Sequence, residues 1–306
     1  MYRVTSSSSK RVLASLIMNV ISSVAVIIVN KRLVYNEAGF HFVTLLTAIH
    51  FVASFFGCLL LSYLGFFQIK RLAIKEVLSI SLAFCGYVVF NNLSLLNNTI
   101  SVYQMSKILG TPLIVWIEYV AYNKRERRET LLALTVTCLG VAITVFVETS
   151  LNLVGMICAL LAIISNSLYT IWGNTKQKEL GASASQLLLY QAPISAAILF
   201  FVAPMESLKD LIAYEVTFTT VWTIALSCIF AFGVNLSFFL FVGQTSPLTT
   251  NVIGYLKTSL VFVAGFIFVP SEVTLKKIVG VSITLIGLCM YVYYKSKIQP
   301  PPPNTG

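Results

Sequence analysis

Asn251-Val-Ile-Gly-Tyr-Leu-Lys-Thr-Ser259 decides how this chain is read. It lies inside an apolar run from about Leu248 to Val269, long enough to cross a membrane as a helix. At a rise of about 1.5 Å per residue, Lys257 falls roughly 15 Å into that run. That is near the middle of a hydrocarbon core about 30 Å thick. A cation at that depth costs at least ~2.5–3.5 kcal/mol, so it is expected to face a cavity and bind something there.

The surroundings agree with a membrane setting. The chain has 306 residues, of which 57% are hydrophobic and 10% charged, against roughly 25% charged in soluble domains. Apolar runs near 12–33, 41–64, 76–96, 99–121, 130–147, 153–173, 185–205, 217–242, 248–269 and 275–294 predict an all-α membrane protein of ten transmembrane helices. Residues 1–11 read as a cytosolic tail, 12–295 as one ten-helix domain, and 296–306, with its four prolines, as a disordered cytosolic tail. Lys10 and Arg11 precede the first run, which is expected to be an uncleaved anchor.

The cations orient the chain. With the N-terminus in the cytosol, fourteen of the 21 lysines and arginines fall on the cytosolic side, and only Lys209, Lys276 and Lys277 on the other. This bias puts both termini in the cytosol. It also accounts for the net charge of +10 without any nucleic-acid partner. Lys31, Arg32, Lys107 and Lys257 remain.

Lys107 pairs with Lys257 through an internal repeat. Ser101-Val-Tyr-Gln-Met-Ser-Lys107 matches Asn251-Val-Ile-Gly-Tyr-Leu-Lys257 at an offset of 150; Ser23 to Asn30 matches Ser167 to Asn174 at 144; and Asn92-Leu-Ser94 matches Asn235-Leu-Ser237 at 143. Two repeats follow, about 12–147 and 153–295, of five helices each. An odd number inverts the second repeat in the membrane, a plan that places a binding site at the repeat interface near the midplane. Both lysines would enter that site.

The acids sharpen this expectation. All eleven lie in loops or near span ends, with Glu118 the deepest. Neither lysine therefore has a mid-membrane carboxylate to pair with, and a bound dianion is the expected partner. The missing acidic relay also favours exchange of one anion for another over proton coupling. The chain offers no nucleophile–base–acid set, so no enzyme is expected. Two histidines are too few for a metal cluster, the six cysteines form no CxxC pair, and no cofactor is expected.

Other polar residues lie within the apolar runs. Tyr190-Gln191 opens the seventh run before Pro193, where tyrosine can stack on a base and glutamine can read its edge, or the pair can form part of an interfacial aromatic belt. Asn91 and Asn235 either line the cavity or bond helix to helix. His50 reads as a hydrogen-bonded packing residue, with a ligand role as the alternative. Lys31 and Arg32 either snorkel to the interface or guide anions inward.

Asn92-Leu-Ser-Leu-Leu-Asn-Asn-Thr-Ile-Ser-Val-Tyr-Gln-Met-Ser-Lys107, Leu189-Tyr-Gln-Ala-Pro193 and Lys257-Thr258 resemble the triose-phosphate-translocator and nucleotide-sugar-transporter family of the drug/metabolite transporter superfamily, with the E-subgroup of the animal solute carriers nearest in character. The resemblance implies ten helices in two inverted five-helix repeats and antiport of a phosphate-bearing solute. It assigns Lys107 and Lys257 as phosphate ligands, with Thr258 beside them. Lysine followed by threonine marks the group that in plants carries UDP-sugars. Gly254-Tyr-Leu-Lys257 is similar to the ninth-helix Gly-Ala-Leu-Asn-Lys motif, one residue shorter, and Tyr190-Gln191 stands where the nucleotide-sugar carriers have Phe-Tyr-Asn-Asn. Tyr103, Asn251 and Tyr255 join Tyr190, Gln191, Asn91 and Asn235 as candidates for the base or sugar.

The expected function is antiport of a UDP-sugar, of the UDP-xylose or UDP-galactose type, for UMP. The expected setting is the Golgi membrane, with the ER as alternative; membrane lipid and a small anionic substrate are the expected partners. Exchange of a sugar phosphate or triose phosphate for phosphate is the second reading, and a non-transporting scaffold or receptor the third.

Overall fold

The computed structural model describes residues 6–98, 106–146, 152–250 and 275–296. Their helices are α1 (Ser6–Val29), α2 (Val43–Tyr63), α3 (Ile74–Asn97), α4 (Gly110–Tyr122), α5 (Arg128–Phe146), α6 (Leu153–Glu179), α7 (Ala184–Val202), α8 (Pro204–Ala213), α9 (Phe218–Gln244) and α10 (Leu275–Ser296). A π-helical run, Asn30–Glu37, continues α1. Among the described residues, six helical stretches are long and apolar enough to cross a membrane: Arg11–Glu37, Val43–Tyr63, Ile74–Leu95, Leu153–Glu179, Ala184–Val202 and Phe218–Gln244. Five of the six correspond to the expected spans one, two, three, six and seven, and α9 to the eighth. The ninth span, with Lys257, lies outside the described residues beyond Thr250.

Helix ends explain where the structure departs from the hydropathy boundaries. The first span does not stop at Lys31-Arg32, because the chain widens into a π-helix and winds on to Glu37. Arg32 is exposed on that run. The sixth span extends past the apolar run to Glu179. There Gly181, at φ +52°, takes the left-handed conformation that ends a helix, and Ala182 N–H donates to Gln177 C=O at 3.0 Å. Lys176 therefore sits on a helix and reaches Glu76 at 2.6 Å and Glu179 at 2.8 Å. α7 begins with a capping box: Gln186 N–H donates to Ser183 Oγ at 3.2 Å, and Ser183 N–H to Gln186 Oε1 at 2.8 Å. Thr217 and Thr220 start α9 in the same way.

The chain divides into two compact units, and neither is one of the sequential halves. Of the described residues, one unit holds those within 89–170 and 247–296, and the other those within 6–88 and 171–246. In the second unit α1 packs on α9, α2 on α7, and α9 also against α2, α7 and the π-helical run. In the first, α5 packs along α10.

The α5–α10 crossing is built from small residues. Thr137-Cys-Leu-Gly140 on α5 meets Thr284-Leu-Ile-Gly287 on α10. A Cβ on Gly140 would strike the Thr284 backbone nitrogen and lie 2.7 Å from Gly280 O. A Cβ on Gly287 would lie 2.6 Å from the Thr137 nitrogen. Each threonine thus sits on the other helix's glycine, so the backbones approach closely, which is how helices gain packing in lipid where apolar burial gives no net drive. Thr137 Oγ1 donates to Ala133 O at 2.9 Å, and Thr284 Oγ1 to Gly280 O at 2.9 Å. Thr137 and Thr284 are 147 residues apart, and so are Ala133 and Gly280.

Candidate functional site

The sequence-derived site residues fall into three groups. Lys257, Thr258, Asn251, Tyr255 and Tyr103 lie outside the described residues. Lys107 and Asn91 belong to the first unit, and Tyr190, Gln191 and Asn235 to the second.

Lys107 is half-buried on a short helical turn before α4, closed where Leu109 N–H donates to Ser106 O at 3.1 Å. Its neighbours Ser106 and Leu109 border an apolar cavity of about 380 Å³, whose other wall is α6 from Leu153 to Ile163. Asn91 is half-buried on α3. Glu118, the deepest acid by sequence, is buried but committed, pairing with Lys124 at 2.7 Å at the end of α4.

α7 carries an unusual polar stripe. Gln191 is wholly buried, and neither atom of its amide has a partner among the described residues. One turn on, Ser195 is also wholly buried with an unpartnered Oγ, while its carbonyl accepts from Cys85 Sγ at 3.7 Å. Pro193 lies between them inside the helix. It has no N–H, so the Leu189 carbonyl loses its usual partner. Orphaned buried polar groups each cost about 1–3 kcal/mol, and native proteins keep few of them. Tyr190 is half-buried beside Gln191.

Asn235 belongs to a network that joins three segments. Its Nδ2 donates to Ser54 Oγ at 3.0 Å, and Ser54 Oγ donates to His50 O at 2.8 Å. His50 Nε2 lies 2.8 Å from Ser227 Oγ, and Ser227 Oγ donates to Asn30 Oδ1. Because a carbonyl oxygen only accepts, the one hydroxyl proton of Ser227 goes to Asn30, and His50 must donate through Nε2–H. Two residues beyond Asn235 on α9, Ser237 Oγ accepts from Asn19 Nδ2 at 2.8 Å. His50 is 8% exposed and bonded to Ser227. Sequence reading did not single out Ser54, Ser195 or Ser227 or place Asn30 in this cluster. Their signal is a polar side chain recurring at i and i+4, or two turns apart, inside an apolar run.

Among the described residues no group of three or more His, Cys, Asp or Glu side chains could hold a metal ion. Six long apolar helices among the described residues are the frame of a polytopic membrane protein. The chain belongs to the Triose-phosphate Transporter family, whose model matches residues 11–292. It is therefore a multi-pass membrane transport protein and not an enzyme. It is 35% identical over 289 residues to UDP-xylose transporter 1 of Arabidopsis thaliana, covering 93% of this chain and 84% of that one. UDP-xylose transporter 2 of the same plant is 33% identical over 286 residues, covering 92% and 81%. UDP-rhamnose/UDP-galactose transporter 1 is 32% identical over 279 residues, covering 90% and 80%. A solved crystal structure at 11% identity superposes with a TM-score of 0.67, covering 92% of this chain and 99% of its own, a likeness of fold alone.

Proposed function

We propose that this protein exchanges a UDP-sugar, of the UDP-xylose or UDP-galactose type, for UMP across the Golgi membrane. The observation that carries this reading is the near-full-length likeness to carriers named for UDP-xylose, UDP-rhamnose and UDP-galactose. The residues add a mechanism. Lys107 and Lys257 neutralise the two phosphates of the substrate, and the Thr258 hydroxyl donates a hydrogen bond to them. UMP bears nearly the same charge, so one site serves both directions of exchange.

Gln191 and Tyr190 are the proposed base contacts. A buried amide with no partner in one state is poised to gain partners in another, and Gln191 can both donate to and accept from the edge of a uracil. Alternation would follow the inverted-repeat plan. The α5–α10 crossing supports that plan, because two equivalent Thr-x-x-Gly segments grip each other reciprocally, as a two-fold relation requires.

The test is reconstitution in UMP-loaded liposomes with a panel of labelled nucleotide sugars. UMP-dependent uptake of a UDP-sugar is expected, and its absence for every nucleotide sugar sinks the reading. Lys257→Ala should abolish uptake while the protein still elutes as a folded species; retained uptake would remove the lysine pair from the site. Exchange of a sugar phosphate or triose phosphate for phosphate is the second reading, favoured by the name of the matching family. Counterflow against inorganic phosphate distinguishes it.

A further inference from the structure

The second unit holds a cavity that the phosphate and base contacts do not use. It has a volume of about 180 Å³ and lies among α1, the π-helical run, α2, α3 and α9. Its polar lining comes from Asn30, Tyr35, Thr47, His50 and Asn235, and its apolar walls include Phe51, Phe84 and Ala231.

Three features of the lining define what fits it. First, among the described residues no lysine, arginine, aspartate or glutamate lines it. None of these lining groups carries a charge that would offset the lost hydration of a bare phosphate. Second, the polar groups retain bonding capacity after the network is counted. Asn30 spends Oδ1 on Ser227, Asn235 spends Nδ2 on Ser54, and His50 spends Nε2 on Ser227. That leaves the Asn30 amide N–H groups, the Asn235 Oδ1 and the His50 Nδ1 without partners among the described residues. A mixed set of neutral donors and acceptors suits hydroxyl groups, each of which both donates and accepts. Third, Phe51 and Phe84 pack edge to face at 4.7 Å and form a rigid aromatic wall, which suits the C–H face of a saturated ring. At ~30 Å³ per water the volume holds about six waters, the scale of one monosaccharide ring, and too little for a base with its ribose.

We propose that this cavity receives the neutral glycosyl group of the substrate, with Asn30, His50 and Asn235 reading its hydroxyls and Ala231 limiting its size. The inference rests on the nucleotide-sugar reading and goes beyond it, since it says which residues discriminate one sugar from another. The network also gives the pocket its rigidity. Ser54 and Ser227 each tie α2 to a neighbouring segment, so the three reading groups are held by bonds between helices.

The test uses the full-length protein in liposomes loaded with UMP, offered labelled UDP-xylose, UDP-galactose or UMP. Ala231→Leu fills the cavity and touches no hydrogen bond of the network. It should lower UDP-galactose uptake tenfold or more and UDP-xylose uptake less, because a hexose carries an extra hydroxymethyl group. UMP, which has no glycosyl group, should still exchange. Asn235→Ala should lower uptake of both UDP-sugars about tenfold relative to UMP exchange. Should that variant fail to elute as a folded species, the Ala231→Leu ratios decide alone. A parallel fall for all three substrates, or unchanged ratios, would show a structural cluster only and overturn the inference, leaving UDP-sugar transport standing. If the unmodified protein exchanges no nucleotide, the nucleotide-sugar reading fails and this one with it.

Discussion

The α5–α10 crossing and the cluster among α1, α2 and α9 both place hydroxyls inside an apolar bundle, but they bond them differently. At the crossing, Thr137 and Thr284 donate back to their own helices, to Ala133 O and Gly280 O. The contact itself is backbone against backbone through Gly140 and Gly287. In the cluster, Ser227 joins His50 to Asn30, Asn235 reaches Ser54, and Asn19 reaches Ser237, all between segments far apart in sequence. The first device closes space, and the second leaves a polar cavity beside it. Small residues bring two helices into backbone contact at one place, whereas side-chain bonds between segments border a cavity at the other.

Substitutions should separate the two devices. Gly140→Leu should have the largest effect. Its Cβ would meet backbone atoms, which cannot rotate away, so overpacking should exceed the usual ~1–3 kcal/mol. Little or no monodisperse protein on size-exclusion is expected; a wild-type elution profile would refute the tight crossing. Ser227→Ala should be next, because it orphans His50 and Asn30 together. A loss of about 1–3 kcal/mol should appear as a lower melting temperature in detergent, with a fall in UDP-sugar uptake.

Gln191→Leu should act in the opposite direction on stability. Removing an unpaired buried amide should raise stability by about 1 kcal/mol or more while uptake falls. If melting temperature and uptake fall together, Gln191 has a structural partner and is not a substrate contact. Thr284→Ala should be the mildest of the four. Its hydroxyl returns to its own helix, so the change loses mainly one methyl's packing, about 0.8 kcal/mol. A drop matching that of Ser227→Ala would erase the distinction between the devices.

Much of this was legible from residue patterns. Hydropathy located the helices that α1, α2, α3, α6, α7 and α9 now fill, because a segment that must satisfy its own backbone in lipid has to be a continuous apolar helix. Lysines inside apolar runs, with every acid in a loop or near a span end, raised the question of an anion before any geometry. Gln191 was singled out for its place ahead of Pro193, but its complete burial without a partner was not. The Thr-x-x-Gly match at an offset of 147 also went unread, because four common residues carry little signal until their contacts show that they face each other. Ser54 and Ser227 were silent for a related reason: a serine in an apolar helix more often bonds its own backbone, as Ser81 does with Val77 O at 3.1 Å.

By itself, the sequence determined that this is a multi-pass helical membrane protein, how its cations are distributed, and its kinship with nucleotide-sugar carriers. Those properties follow from composition summed along the chain, and each residue contributes to them independently of its distant neighbours. Only the tertiary structure decided which polar side chains bond across helices, which remain unpaired, and where a cavity stays open among α1, α2, α3 and α9. Those depend on groups as far apart as Asn30 and Ser227, and their pairing is set by helix packing, which no local pattern encodes.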